Sequence, residues 1–266
     1  MNRMSAVRVK NDPIGFQTRK GLSIEKTWLF VDLSLMEYAE ALDLQHRLVD
    51  ARVDGALGQD ALLLLEHAPV FTLGRRGNRE HMLVQEAFLR SRGIAVVQAE
   101  RGGDVTFHGP GQLVGYTILD LRGIRLGAAD LVEALEEVMI RTLGDWQIRA
   151  RRSPANRGVW VEDDKVGSVG IAIRRQVSFH GFALNVNTRL KPFTWIHPCG
   201  LAGVRAISMK RLLGREVIME DVRARIRFHV QEIFKARLVK RSLENIERLM
   251  DKRSPKAIGG SHEDGP

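Results

Sequence analysis

Residues 159–186 have the sequence VWVEDDKVGSVGIAIRRQVSFHGFALNV. The stretch contains three apolar runs of strand length, at 159–161, 166–173 and 178–186. A polar turn, Glu162-Asp163-Asp164, joins the first run to the second. Successive short strands joined by tight turns predict a sheet at this place in the chain. Because helical patterns lie on both sides of it, we expect one mixed domain of helices and strands.

The rest of the chain adds further elements on both sides of this sheet. Apolar residues recur at helical spacing over 35–53, 128–143 and 217–234, and 242–250 could extend the last helical region. Strand patterns are predicted at 61–66, 70–73, 94–98 and 113–119. We expect a flexible N-terminal extension (1–25), one folded catalytic domain (26–237) and a basic C-terminal extension (238–266), partly helical and then disordered.

Composition excludes several classes of protein. Among 266 residues, 44% are hydrophobic, which is ordinary for a globular chain and rules out wholesale disorder. A single Cys excludes an intramolecular disulfide framework and fits a reducing compartment. No apolar run approaches the roughly 18 residues that span a bilayer, and the polar N-terminus lacks the core of a secretory signal. These features predict a cytoplasmic protein without a membrane partner.

The charge of the chain is unevenly distributed. The formal net charge is +9, and residues 205–256 hold 15 basic against 7 acidic side chains. Such a balance favours acidic partners. It also raises the alternative of a nucleic-acid-binding or regulatory protein. Aromatic residues are only 6% of the chain, and the basic stretch alternates with apolar core positions, so a solvated helix face is the favoured interpretation and no nucleic acid is expected.

The densest candidate for a binding site is the loop at residues 101–112, RGGDVTFHGPGQ. Its four glycines permit close approach of the backbone to a ligand, and Arg101 and His108 add a charge and a titratable donor. A tight connection between two strands, with glycines that serve turn geometry alone, explains the same composition. The loop lacks the phosphate-binding GxxxxGK[ST] pattern.

Two side chains elsewhere could carry chemistry, Cys199 and Lys165. A lone Cys is more often a buried small hydrophobe, but Pro198 and Gly200 place this one on a turn. A nucleophilic thiolate needs a nearby cation or base, and spacing alone does not choose among His197, His108 and His180. Lys165 follows a turn, where most lysines are solvated. No Cys or His spacing typical of a zinc site is present, so no metal is expected.

Five motifs, in this order, resemble the lipoyl(octanoyl) transferases, also called lipoate-protein ligase B. They are EHAPVFTLGRRG (66–77), RGGDVTFHGPGQ (101–112), KVGSVG (165–170), HGFALNV (180–186) and HPCGL (197–201). Each motif alone is weak, but together they are specific, and the resemblance extends from about residue 35 to 235.

The resemblance implies an α+β fold, the one shared with biotin and lipoate protein ligases, with mixed sheets packed against helices. It implies transfer of an octanoyl group from octanoyl-acyl carrier protein to a lysine of apo lipoyl domains, through a thioester on Cys199. Lys165 would lower the pKa of the thiol and shuttle protons. The acyl pocket would be lined by Arg101, Gly102, Gly103, Asp104, Val105, Thr106, Phe107, His108, Ser168, Val169, Gly170, Gly181, Phe182 and Ala183.

The resemblance also implies the partners of the reaction. Acceptors would be the lipoyl domains of 2-oxoacid dehydrogenase complexes and the glycine cleavage H protein, and the enzyme would be a monomer without a cofactor. An ATP-dependent lipoate or biotin-type protein ligase on the same fold is the nearest alternative. Such a ligase activates a free carboxylate and needs no catalytic Cys.

Overall fold

The structure of the protein, a computed structural model, describes residues 26–154, 156–197 and 204–251. Its strands are β1 Lys26–Met36, β2 Ala61–His67, β3 Val70–Leu73, β4 Ala95–Gln98, β5 Val105–His108, β6 Gln112–Asp120, β7 Arg151–Arg152, β8 Val159–Val161, β9 Asp164–Arg174, β10 Val177–Asn185, β11 Arg205–Ala206 and β12 Ala236–Lys240. Its helices are α1 Tyr38–Val53, α2 Glu86–Arg90, α3 Leu121–Ile124, α4 Ala128–Asp145, α5 Met209–Leu213, α6 Met219–Phe234 and α7 Leu243–Asp251. Short 3₁₀ helices lie at Arg79–His81 and Lys191–Trp195.

Two sheets organise the described part of the chain. The larger has the order β12-β1-β2-β6-β10-β9-β8-β7, with β11 added in parallel to β9. The smaller has the order β4-β3-β5. Parallel and antiparallel pairs both occur in each sheet, which confirms the predicted α+β class with mixed sheets.

Helices cover both faces of the larger sheet. On one face α4 and α6 pack over Leu62, Leu64, Phe182 and Leu184, and on the other α1 and α7 pack over Leu63 and its neighbours. Strands buried on both faces need apolar side chains at successive positions, and this explains the run of four leucines in β2. Among the described residues no helix combines the length and the apolarity needed to cross a bilayer.

Several short elements were not predicted from the sequence, and three further differences concern strands β1, β5 and β12. Residues 26–36 form β1, so α1 begins at Tyr38 rather than at residue 35. Strand β5 lies inside the stretch predicted as a single glycine-rich loop. Strand β12 follows α6 and pairs in parallel with β1, and it spans residue 237, where the boundary of the domain is predicted. Strands β5 and β12 are short and lie at a sheet edge, where the period-2 signal is weak, whereas β1 is long and paired on both sides but precedes α1 without a turn signal.

Candidate functional site

A cavity of about 610 Å³ lies on the larger sheet beside the smaller one. It is bounded by β6, β9 and β10 on one side and by the segment from Arg101 through β5 on the other. The structure thus brings together residues from four of the five sequence motifs, with Arg76 as the contribution of the first. The predicted pocket residues on its wall are Arg101, Gly102, Gly103, Asp104, Val105, Thr106, His108, Ser168, Val169, Gly170, Gly181, Phe182 and Ala183.

Phe107 is the predicted pocket residue that is not placed on the cavity wall. Its ring centroid lies 5.1 Å from that of Phe71 and 5.6 Å from that of Phe193, within the core of the smaller sheet. Side chains alternate along β5, so Thr106 and Phe107 point to opposite faces of the strand.

Small residues on paired strands make room for the cavity. Ser168 of β9 is paired with Ala183 of β10, and Gly170 is paired with Gly181. Gly170 also lets the 101–103 loop approach the strand, because a Cβ there would lie 2.9 Å from the carbonyl oxygen of Gly102. The amide of Gly102 donates to the carbonyl of Ile171 at 2.8 Å. The loop therefore continues the wall of the cavity beyond the edge of β9.

A chain of buried hydrogen bonds fixes the side chains behind this wall. Nη2 of Arg101 donates to the carbonyl oxygen and to Oγ1 of Thr72 at 2.7 and 2.8 Å. Oγ1 of Thr72 lies 3.4 Å from Nε2 of His108, and Nδ1 of His108 lies 2.7 Å from Oε1 of Gln112. Because an amide oxygen only accepts, we assign the imidazole proton to Nδ1 and leave Nε2 to accept from the threonine hydroxyl.

The same chain of hydrogen bonds continues toward Lys165. Nε2 of Gln112 donates to Oδ1 of Asn185 at 2.9 Å, and Nδ2 of Asn185 donates to the carbonyl of Ile207 at 3.1 Å. The amide of Ile207 in turn donates to the carbonyl of Lys165 at 3.0 Å. Hydrogen bonds thus connect the Arg101 loop to the strand that carries Lys165.

Four titratable side chains on the buried part of the cavity wall are held neutral, beside the buried cation Arg101. Burial raises the pKa of Tyr38 to about 12 and raises that of Tyr116 well above its usual value. Burial lowers the pKa of His180 to about 3 and that of His108 well below its usual value. Uncharged side chains are what an apolar ligand requires, because no ionic group has to be desolvated when it binds.

His180 adopts an unusual backbone conformation within β10. Its φ of 58° lies in the left-handed region, which a non-glycine residue adopts at a cost of order 1 kcal/mol. The buried amide of Gln45 on α1 stabilises it, because Oε1 of Gln45 accepts the backbone N–H of His180 at 2.8 Å. The next residue, Gly181, then returns to regular pairing with Gly170 and Tyr116.

Lys165 lies near the start of β9, is only 8% exposed and contributes to the cavity wall. Its Nζ is 5.4 Å from the ring centroid of Trp160. Gly158, with φ of 122°, makes room for the lysine, because a Cβ there would lie 2.5 Å from Cε of Lys165. Lys165 is thus a buried amine beside the cavity rather than a solvated lysine of a turn, and its predicted catalytic role stays a prediction.

Cys199 lies outside the described residues, but the chain is described on both sides of it. On the N-terminal side, Ile196 forms a β-bridge with Met82, and the amide of His197 donates to the carbonyl of His81 at 2.8 Å. On the C-terminal side, Ala206 is paired with Lys165. Both flanking segments are therefore fixed to residues that line the cavity.

Sequence reasoning missed several residues of the cavity wall, notably His81, Arg76, Tyr38 and Tyr116. Nδ1 of His81 lies 2.7 Å from Oδ2 of Asp104. A lone histidine in a single turn of 3₁₀ helix carries no periodic signal. Tyr116, in contrast, alternates with Val114 along β6, and this period of two could have placed both on the face of the cavity.

Comparison with known proteins gives consistent results. The family model for the lipoyl protein ligase A/B catalytic domain matches residues 37–231. The octanoyltransferase of Syntrophobacter fumaroxidans is 48% identical over 221 residues, which cover 83% of this chain and 96% of that protein. The octanoyltransferase of Desulfotalea psychrophila is 46% identical over 219 residues, covering 82% of this chain and 98% of that protein.

Solved structures show the same fold at low sequence identity. Lipoate-protein ligase A bound with ATP superimposes with a TM-score of 0.66 at 14% identity, covering 86% of this chain and 94% of that one. LipL1 of P. falciparum in complex with lipoate gives a TM-score of 0.67 at 14% identity, covering 85% and 70%. The family match, the two octanoyltransferase relatives and the shared fold agree on the family of this chain. It belongs to the lipoyl protein ligase A/B catalytic-domain family, and within that family it is an acyltransferase of the octanoyltransferase group.

Proposed function

We propose that this enzyme moves an octanoyl group from octanoyl-acyl carrier protein to a lysine of an apo lipoyl domain, by way of a thioester on Cys199. The acceptors would be the lipoyl domains of 2-oxoacid dehydrogenase complexes and the glycine cleavage H protein. We assign the reaction to lipoate biosynthesis, which is supported by relatives named octanoyltransferase and by the match to the lipoyl protein ligase family.

The observation that carries the proposal is the buried amine of Lys165 on the wall of a largely uncharged cavity. Ala206, which is paired with Lys165, and His197, which is bonded to His81, fix the chain on both sides of Cys199. A cation close to a thiol favours the thiolate, and an amine beside a thiol is placed to accept and return its proton. The two groups can therefore exchange a proton, which is the requirement for acyl transfer through a thiol.

The cavity supports an eight-carbon acyl chain as the transferred group. The side chains of Ser168 and Ala183 are small, Gly170 and Gly181 have none, and all four lie on its wall. Tyr38, Tyr116 and His180 add neutral surface. Ligand cavities for apolar groups are typically concave, largely apolar and preformed, as this one is.

The basic character of the enzyme supports acidic protein partners. The chain carries a net charge of +9, and Arg76 and Arg157 are exposed at the cavity. Opposite charge on a carrier protein or lipoyl domain accelerates encounter more than it strengthens the final complex.

Intact-mass analysis after incubation with octanoyl-acyl carrier protein tests the proposal. We expect wild type to gain one octanoyl group and to lose it to an apo lipoyl domain, and we expect Cys199→Ala to show neither reaction. A matched control is Ser91→Ala, which removes a similar side chain from an exposed site away from the cavity. Turnover retained by Cys199→Ala would exclude the thioester. Octanoylation of the lipoyl domain by free octanoate and ATP would instead support the ligase alternative.

A further inference from the structure

The wall of the cavity holds a second pair of ionisable side chains, which the reaction through Cys199 and Lys165 does not use. Nδ1 of His81 is buried and lies 2.7 Å from Oδ2 of Asp104, close enough for charge pairing although not aligned as a hydrogen bond, and both residues line the cavity. The His81 side chain as a whole is 29% exposed, so its exposed surface belongs to the part of the ring away from Nδ1. We propose that His81, supported by Asp104, is the base that accepts the proton released when the acceptor lysine attacks the acyl-enzyme; this inference rests on the proposed function.

Both members of the pair are fixed by backbone contacts. Oδ1 of Asp104 accepts the backbone N–H of Val105 at 2.7 Å, which orients the carboxylate. The amide of His81 donates to the carbonyl of Asn78 at 3.0 Å, within the 3₁₀ turn. The carbonyl of His81 accepts from the amide of His197 at 2.8 Å, and His197 is two residues before Cys199 in the sequence. The imidazole therefore belongs to a segment that is hydrogen-bonded to His197, close in sequence to the proposed nucleophile Cys199.

A count of protons shows that the discharge step releases one proton that Cys199 and Lys165 do not retain. In the loading step the proton of the Cys199 thiol ends on the thiol of the carrier, so Lys165 can take it and return it. In the discharge step an ammonium group becomes an amide. It loses two protons, of which only one is needed to restore the Cys199 thiol. The other must leave the site, and its acceptor must communicate with solvent.

The discharge step balances with both bases present. Lys165 takes the first proton from the acceptor ammonium, and the neutral amine attacks the thioester carbonyl carbon and forms the C–N bond. The second N–H proton passes to Nε2 of His81, and the carboxylate of Asp104 stabilises the imidazolium. The C–S bond breaks, the Cys199 thiolate takes its proton from Lys165, and His81 releases one proton to water. A half-exposed histidine suits the last transfer better than a buried lysine.

Separate measurement of the two half-reactions tests this assignment. Each variant is loaded from octanoyl-acyl carrier protein, freed of donor, mixed with apo lipoyl domain and followed by quenched intact mass. For His81→Ala we expect loading within about threefold of wild type and discharge slowed by about 10²-fold or more, the lower range for a lost acid–base group. Added imidazole should restore discharge in proportion to its concentration. Asp104→Asn should slow discharge less, by about tenfold.

His46→Ala is the matched control. His46 is 33% exposed in its side chain and forms a similar pair, with Nε2 2.8 Å from Glu100, but it does not line the cavity. We expect normal rates in both half-reactions. Discharge of His81→Ala at the wild-type rate, equal loss of loading and discharge, or the absence of rescue by imidazole would each overturn the assignment. A wild-type enzyme that never acquires the octanoyl group would refute the proposed function itself, which is a distinct result.

Discussion

The buried and the exposed parts of the cavity wall treat charge in opposite ways. In the buried part, Tyr38, Tyr116, His108 and His180 are all neutral because burial penalises their charged forms. Toward the exposed part the wall carries ionisable groups, such as Arg76 and the partly exposed His81, which lies against the buried carboxylate of Asp104. Lys165 is the buried amine that shares the wall with both.

This difference separates acyl-chain binding from proton transfer, two tasks with opposite requirements for charge. An acyl chain is bound by apolar contact and gains nothing from a charge that must be desolvated. Acyl transfer to an amine moves protons and needs groups that change charge near water. Neutral side chains in the buried part and ionisable side chains nearer the mouth allow both tasks. Mutations can test each part of the wall separately.

The largest effect is expected for Lys165→Ala. Loss of the acid–base group should lower kcat/KM for octanoyl transfer by about 10²–10⁴-fold, with an unchanged circular dichroism spectrum. Lys165→Arg should remain as inactive, because a guanidinium stays charged and cannot return the proton. The control is Lys210→Ala, an exposed lysine paired with Glu216 at 2.7 Å. Normal activity of the arginine variant would show that Lys165 supplies charge rather than proton transfer.

Asn185→Leu should break the chain of hydrogen bonds that connects the Arg101 loop to the strand carrying Lys165. The leucine leaves one N–H of Gln112 and the carbonyl of Ile207 without the partner that each has in the native chain. With a buried unpaired group costing about 1–3 kcal/mol, we expect the free energy of unfolding to fall by about 2–4 kcal/mol. Urea denaturation measures it. Asn245→Leu, an exposed position on α7, is the control and should change the value little; an equal loss in both would assign no role to the network.

Acid should destabilise the native protein by protonating its buried neutral histidines. His67, which contacts Tyr116 behind the cavity wall, tests this. Nε2 of His67 lies 2.6 Å from the Tyr116 hydroxyl, and burial lowers the histidine pKa from 6.5 to about 4. The unfolded chain therefore binds a proton near pH 6.5 that the native protein takes up only near pH 4, so stability is lost as the pH falls between these values. His67 alone should remove about 2 kcal/mol between pH 7 and 5.

The measurement is the slope of unfolding free energy against pH. His67→Gln should flatten that slope by close to one proton, whatever its stability at pH 7. A slope that is the same in His67→Gln and wild type would mean that this histidine is not held neutral.

Much of the fold could be predicted from periodicity. The long helices α1, α4 and α6 and the buried strands β2, β6, β9 and β10 have strong patterns over seven residues or more. The patterns did not predict strands β1 and β12, because β1 precedes α1 without a turn signal and β12 is a five-residue edge strand that contains Arg237 and Lys240. Their parallel pairing joins the two ends of the described chain, and no local pattern carries that information.

The site was predictable where it depends on motifs and unpredictable where it depends on packing. Glycines at 102, 170 and 181 signalled close backbone approach, although not which segments would meet. The burial of Lys165 depends on Gly158 and Trp160, and a lysine after a turn gives no sign of either. His81 and Asp104 are 23 positions apart and meet only because β3 and β5 pair within the smaller sheet.

Ser168→Leu should give the smallest effect, and it tests whether the acyl chain binds along this part of the cavity wall. Ser168 lies on the cavity and is paired with Ala183, so a leucine there would occupy space proposed for the acyl chain. If about two methylene groups of the octanoyl chain lose their contacts, at about 0.8 kcal/mol each, kcat/KM for the octanoyl donor should fall about tenfold. A butyryl donor lacks those methylenes and should react at the wild-type rate, which makes it the internal control. Equal loss with both donors would place the leucine against the reacting groups, and no loss with either would direct the acyl chain along a different side of the cavity.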